Sequence, residues 1–325
     1  MTFNQERAEA ISVIGLGNYG ASLVACLASS GYRVIGLDSD ENKVNLMRKG
    51  LAPVLEPELD INIQQSRKLI SATNSYHCLI SQTQVTFIAI PPYLHYGVFV
   101  LNEEVLDVLE RMSTEIRAKD EFHIVVLARS IMPELIEHQL IPTIEKSSGK
   151  TCSGGFGFCY LPFFTEKGQI IKNISSPDIL LLGESDIHSG DIVQKIVHNL
   201  INNHVDIIRS NFMNIEIARL AINSYKEIRR SFMNMLNEMC EALPGADYNE
   251  IFKLVSKAVK VEQGNRINNN NINPLAMLDN LAFRNLGQHL NKNVLLPDAA
   301  EKIHNRQIQR IIEVIFSKMK SDATV

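Results

Sequence analysis

With 325 residues, 45% of them hydrophobic, the chain is long enough to bury a large core and to hold two domains. A net charge of −4 gives no electrostatic footing for nucleic acid or an anionic membrane surface. No run approaches the roughly eighteen unbroken apolar residues of a transmembrane helix.

The first residues, MTFNQERAEA, are polar and acidic, unlike a secretory leader. The five cysteines (Cys26, Cys78, Cys152, Cys159 and Cys240) lie mostly in apolar contexts and read as free thiols. Together these features predict a cytoplasmic protein. No CxxC or HxxxH spacing offers a metal site. An apolar run, Ile11 to Ile14, then leads into Gly15-Leu16-Gly17-Asn18-Tyr19-Gly20. An amphipathic segment follows from Ala21 to Gly31, and a second apolar run, Arg33 to Leu37, closes on Asp38. Strand, glycine turn, helix, strand and acid, in that order, make a dinucleotide-binding βαβ unit. Gly15 allows the tight turn, Gly17 lets the backbone approach a pyrophosphate, and Gly20 lets the helix pack close to the strand. The helix start offers N–H groups to phosphate. Asp38 can accept the ribose hydroxyls of NAD and would repel the 2′-phosphate of NADP, so the cofactor expected is NAD.

Beyond this unit, apolar runs at Val85–Ile90, Phe122–Leu127, Gly155–Cys159 and Ile179–Leu182 predict strands. Helical periodicity fills Leu101–Ile116, Ile131–Ile144 and Gly190–Asn202. Strands separated by helices imply a parallel sheet covered on both faces. Around Ser210 the strand signal stops. From Ile215 to Leu243 apolar residues recur at helical spacing for about eight turns, and further helices are expected at Tyr248–Val259, Met277–Leu290 and Asp298–Lys318. The Asn-rich stretch Asn268–Asn273 before Pro274 reads as a loop. The expected fold is α/β: a Rossmann-like, doubly wound parallel sheet over 1–209, then an all-helical domain over 210–325.

Read in this order, the residues resemble the UDP-glucose and GDP-mannose dehydrogenase family. The turn and Asp38-x4-Lys43 resemble that family's NAD site. Gly50-Leu-Ala-Pro-Val-Leu-Glu56-Pro57 looks like its G-x-x-P-I-x-E-P segment, and Arg129-Ser130 follows its K/R-S-T-V turn. Pro177-Asp178 to Gly183 matches its PDRxxxG strand. Glu216-x2-Arg219-x3-Asn223 sits where the family has E-x2-K-x3-N, and Gly245-Ala246-Asp247 matches its G-A-D. The resemblance implies cofactor contacts at Gly15, Leu16, Gly17, Asn18, Tyr19, Gly20, Asp38, Lys43, Pro91 and Ser130. It implies catalytic positions at Arg219, Asn223 and Asp279. In the family the long helix pairs two subunits, so a homodimer is expected. The stripe Leu220, Ile228, Phe232, Met235 and Met239 suits either a partner or the chain's own core.

The departures bear on the chemistry. Family members oxidise an alcohol to an acid in two steps, and the second step needs a cysteine to hold the aldehyde covalently. Aligned on Asp279, that cysteine is Leu275 and the neighbouring lysine is Leu278. The glutamate of N-P-E-F-L is Phe163, and the catalytic lysine is Arg219, a poor proton shuttle but a good anion clamp. Two threonines of the family become Ile131 and Pro91. Val325 falls where the resemblance would place the first strand of a third, nucleotide-holding domain. Three readings stay open. The first is an NAD-dependent oxidoreductase making one hydride transfer on a small molecule whose anionic group Arg219 orients. The second is a cofactor-binding scaffold or partner subunit without catalysis. The third is a nucleotide-sugar dehydrogenase completed by another chain.

Overall fold

The computed structural model describes residues 10–90, 93–95, 98–100, 103–202, 205–258 and 274–322. The backbone divides into two compact units, Met1–Arg219 and Leu220–Val325.

The first unit opens with β1 (Ala10–Ile14), α1 (Asn18–Ser29) and β2 (Arg33–Leu37), as the βαβ pattern requires. Next come α2 (Glu41–Arg48), α3 (Leu59–Gln65), β3 (Ile70–Thr73), α4 (Tyr76–Gln82) and β4 (Val85–Ile88). A hairpin, β5 (Tyr93–His95) and β6 (Val98–Val100), precedes α5 (Glu103–Arg117) and β7 (His123–Leu127). The unit continues through α6 (Ile141–Ser148), β8 (Phe156–Tyr160), α7 (Ile170–Ser175), β9 (Leu180–Glu184), α8 (Ile187–Leu200) and β10 (Ile207–Ser210). Helix starts carry side-chain caps: Asp40, Ser75 and Asp186 accept backbone N–H groups at the heads of α2, α4 and α8.

Eight strands form one sheet in the order β10-β9-β8-β7-β4-β1-β2-β3. The central strands β1, β4, β7 and β8 are buried along nearly their whole length, the signature of a sheet covered on both faces. Two features depart from expectation. The strands β3 and β10 carry no strong apolar signal, because both are short and lie at the sheet edges where part of each strand is exposed. The second concerns direction: β9 pairs with β8 antiparallel, although every other neighbouring pair in the sheet is parallel. The link from β8 to β9 carries only a six-residue helix, α7, which packs on α1. The chain thus stays at the carboxyl edge of the sheet and enters β9 from that end.

The helix expected from Ile131 starts later. Glu134 sits at φ 74°, Ile136–Leu140 forms a π-helical turn, and α6 begins only at Ile141. Pro142 has no N–H to donate to the preceding turn, which is where the wider turn lies.

The long helix α9 (Phe212–Ala242) leaves β10 directly, with Phe212 seated edge-on against Phe158 at 5.8 Å and against Gly183. A Cβ at Gly183 would stand 2.9 Å from the Phe212 ring. The second unit takes in the rest of α9 together with α10 (Tyr248–Ala258), α11 (Pro274–His289) and α12 (Leu295–Asp322). The Asn-rich stretch falls outside the described residues. Buried or partly buried polar bonds tie α9 to α11 and α12: Ser224 Oγ donates to Asn280 Oδ1 at 2.7 Å, Ser231 Oγ to the Ala300 carbonyl at 3.1 Å, and Asn234 Nδ2 to Gln307 Oε1 at 2.6 Å. Of the stripe on α9, Leu220 is buried and belongs to the chain's own core. Phe232, Met235 and Met239 are exposed at 49%, 39% and 55%.

Candidate functional site

The site grows from the switch point of the sheet, where the chain winds from β1 outward to β3 and then crosses back to β4 on the other side of β1. In doubly wound sheets the crevice at the carboxyl ends of such neighbours is where ligands sit. The glycine turn lies there. Gly15 adopts φ 97° and its N–H donates to the Leu37 carbonyl at 2.7 Å. A Cβ at Gly20 would lie 1.7 Å from the Gly15 carbonyl oxygen, so no side chain fits. Above Gly17 nothing stands within 4 Å of where a Cβ would be. Gly17 caps α1 without a side-chain hydrogen bond, so the first N–H groups of the helix have no side chain competing for them. These features fit a dinucleotide pyrophosphate.

Asp38 is 8% exposed. Its Oδ2 accepts the Leu16 amide at 2.7 Å and faces Lys43 Nζ at 3.4 Å, while Oδ1 accepts the Asp40 amide at 2.9 Å. A carboxylate offers about four lone-pair sites, so capacity remains for a ribose hydroxyl. Asn18 Nδ2 donates to the Leu55 carbonyl at 2.9 Å, holding the 50–57 segment beside the turn. Glu56 in that segment accepts the Gly168 and Ile170 amides at 3.3 and 3.0 Å.

Ser130 lies three residues beyond β7, also at the carboxyl edge. Arg219 Nη2 donates to its Oγ at 2.6 Å, and the Arg219 guanidinium stacks on Phe164 at 4.6 Å. Arg129 stacks in the same way on Tyr19, 4.9 Å from the ring centroid, and Phe163 packs on the Tyr19 ring at 6.4 Å. Phe163 is thus buried as a packing residue, at 4% exposure. One turn of α9 before Arg219, Glu216 accepts the Glu134 amide at 3.1 Å. Burial pushes this carboxyl up to about 7.

In the second unit the Asn223 amide donates to the Asp279 carboxylate, and both residues are buried. Pro91 lies outside the described residues. Of the anticipated positions, the turn, Asp38, Lys43, Ser130 and Arg219 belong to the first unit, whereas Asn223 and Asp279 meet in the second. Spacing in the sequence did not disclose the stacks on Tyr19 and Phe164, or the hold of Glu216 on the turn after Ser130. The aromatic pair Phe163-Phe164 and the tyrosine inside the glycine turn were the only signals for them. Cys159 has no exposure on β8, and burial pushes its thiol well above the ordinary range. A buried neutral thiol is a poor nucleophile.

Residues 9–201 match the model of the UDP-glucose/GDP-mannose dehydrogenase family, NAD binding domain. GDP-mannose 6-dehydrogenase of Pseudomonas aeruginosa is 29% identical over 254 residues, covering 77% of this chain and 57% of that protein. The crystal structure of a ternary complex of GDP-mannose dehydrogenase from Pseudomonas aeruginosa superposes with TM-score 0.73 at 26% identity. That match covers 94% of this chain and 71% of the other. A UDP-glucose dehydrogenase from Pyrobaculum islandicum shares the fold with TM-score 0.83 at 21% identity, over 98% of this chain and 73% of the other.

Proposed function

The chain belongs to the UDP-glucose/GDP-mannose dehydrogenase family and carries its NAD-binding domain, and from that premise we propose that it is an NAD-dependent oxidoreductase restricted to a single hydride transfer between an alcohol and a carbonyl. The observation that carries this reading is an intact cofactor cradle set beside an arginine where the family has its catalytic lysine. Gly20 closes on Gly15, the Leu16 amide binds Asp38, and Arg219 binds Ser130 within the same unit.

In this reading the turn residues 15–20 hold the pyrophosphate of NAD, and Asp38 with Lys43 holds the adenosine ribose. Bound there, NAD supplies the hydride acceptor or donor. Ser130 stands at the nicotinamide side. Arg219, with its planar forked guanidinium, orients an anionic group of the substrate. Proton transfer falls to water in this reading; in the second unit, Asn223 holds Asp279 in place.

The two-step oxidation to an acid is not assigned to this chain. It needs a thiolate, and Leu275 and Leu278 stand at the aligned cysteine and lysine positions. Cys159 is sealed in the sheet. The chain spans 57% of the length of its curated Pseudomonas aeruginosa relative, so that protein's substrate is not carried over.

The test is equilibrium titration of NADH and NADPH, followed by a screen of small alcohols and of UDP-glucose and GDP-mannose for NADH formation. The expected result is NADH preference and one NADH for each alcohol oxidised. Two NADH per nucleotide sugar with a uronic acid product would overturn the reading. Tight NADH binding without turnover on any alcohol would favour a non-catalytic subunit, the role to which the replaced lysine and glutamate point.

A further inference from the structure

One turn of α9 before Arg219, a buried acid bonds a strained turn of the backbone. We propose that Glu216 is a positioning residue, whose carboxylate fixes the turn after β7 and thereby sets where Ser130 stands at the nicotinamide side. The proposal rests on the oxidoreductase reading above and adds a residue that acts only through another.

The turn comes first. β7 ends at Leu127, and the Ala128 N–H still donates to the Ile88 carbonyl on β4 at 3.0 Å. Beyond it the chain passes Ser130 and reaches Glu134, whose φ of 74° lies in the left-handed region that favours glycine. Ile136–Leu140 then winds as a π-helical turn. Within the stretch, the bond from the Leu135 N–H to the Met132 carbonyl is long at 3.4 Å. A strained backbone with a weak bond of its own keeps its shape when its neighbours impose it.

The neighbour is α9. Glu216 Oε2 accepts the N–H of Glu134 at 3.1 Å and so grips the strained residue directly. The Ile136 N–H also acts on this carboxyl. One helical turn further on, Arg219 Nη2 donates to Ser130 Oγ at 2.6 Å. The start of α9 thus touches both ends of the stretch from Ser130 to Glu134. All of these residues lie in the first unit. A misplacement of about 1 Å can cost a reacting site a hundredfold in rate, so the hold on such a turn matters to chemistry.

The acid is kept there at a cost. Glu216 is 1% exposed, and its Oε1 is buried without a hydrogen-bond partner among the described residues. Burial pushes the carboxyl up to about 7, with the charges of Glu137 and Glu134 acting in the same sense, and the two turn amides pull it down. An apolar side chain would fill the same place without that desolvation, but it could not accept a backbone N–H.

The experiment compares Glu216→Ala and Glu216→Gln with the native full chain. Hydrogen exchange over residues 129–140 reads the turn, and NADH titration reads both the affinity and the emission of the bound nicotinamide. In Glu216→Ala the turn should exchange about tenfold faster or more, as loss of a charged hydrogen bond implies. NADH should still bind through the glycine turn and Asp38, with its emission moved toward that of free NADH. Glu216→Gln, whose side-chain oxygen still accepts the Glu134 amide, should restore both readouts. Val193→Ala, a buried truncation on α8, should lower the melting temperature and leave both readouts native. If Glu216→Ala does not fold, Glu216→Met, which keeps the bulk without the acceptor, carries the same test. Unchanged exchange in the turn overturns the proposal. So does faster exchange with native NADH emission, which would leave Glu216 a structural tie alone. A native protein that binds no NADH would strike the oxidoreductase reading, and exchange in Glu216→Ala against Glu216→Gln would then decide by itself whether the acid sets the turn.

Discussion

The amide of Leu16 donates to Oδ2 of Asp38 at 2.7 Å, so the middle of the glycine turn is tied to the acid at the end of the second strand. The acid that recognises the ribose in the proposed function also holds the shape of the loop that meets the phosphates. Asp38→Ala should therefore weaken NADH by roughly 1–3 kcal/mol, the value of charged hydrogen bonds. It should also narrow the preference over NADPH by removing the charge that repels the 2′-phosphate. Fluorescence titration of both cofactors against both proteins reads this directly, and an unchanged NADH affinity would remove Asp38 from the site.

Gly20→Ala tests the cradle by sterics. The added Cβ would lie 1.7 Å from a backbone oxygen, and backbone cannot swing aside as a flexible side-chain tip can. The helix or the turn must shift, with a cost of about 1–3 kcal/mol or more. The expected outcome is a lower melting temperature together with loss of NADH binding. Gly17→Ala, which meets nothing within 4 Å, should leave the melting temperature nearly unchanged while crowding an approaching pyrophosphate.

The carboxyl of Glu216 sets a pH dependence. Burial raises it from 4.5 to about 7 in the folded protein. A group raised above its unfolded value contributes stability that is complete below about 4.5 and is lost as pH climbs through 7. Glu216→Gln keeps an acceptor for the Glu134 amide without the titrating proton. It should flatten the decline in stability between pH 4.5 and 7 and gain roughly 1–3 kcal/mol over the native protein at pH 8. Buried His123 acts in the opposite sense. Desolvation and the charge of Lys119 hold it well below 6.5, so its contribution is lost as pH falls below the ordinary histidine range. Chemical denaturation across pH separates the two, because only the slope above 4.5 should change in the Gln variant.

The apolar residues left open on α9 predict self-association. Phe232, Met235 and Met239 recur at near-heptad spacing and are all exposed in the single chain. Met235→Glu should leave the fold of the chain intact, since the side chain is 39% exposed, and should shift the protein from dimer to monomer. Light scattering at several concentrations measures this. A native protein that stays monomeric throughout would assign the stripe another role.

Much of the glycine turn's geometry was legible in the sequence because it is a local object. The spacing of Gly15, Gly17 and Gly20 follows from backbone conformation and close approach, and Asp38 follows from the length of one helix and one strand. The strands β1, β2, β4, β7 and β8 announce themselves because burial on both faces demands unbroken apolar runs. Edge strands β3 and β10 do not, because half-exposed positions admit polar residues. The antiparallel entry of β9 was also hidden, since an apolar run carries no direction.

The remaining relationships are long-range. Arg129 stacks on Tyr19 across the sheet edge, Glu216 reaches back to the turn after Ser130, and Asn223 finds Asp279 on another helix. A residue's type and periodicity state what it can bond or cover, and the packing of distant elements decides which partner it meets. The sequence alone thus determined a glycine turn between two strands and a resemblance to one family of dehydrogenases. The tertiary structure alone decided that Arg219, Arg129 and the buried Tyr19 hydroxyl belong to one corner of the sheet.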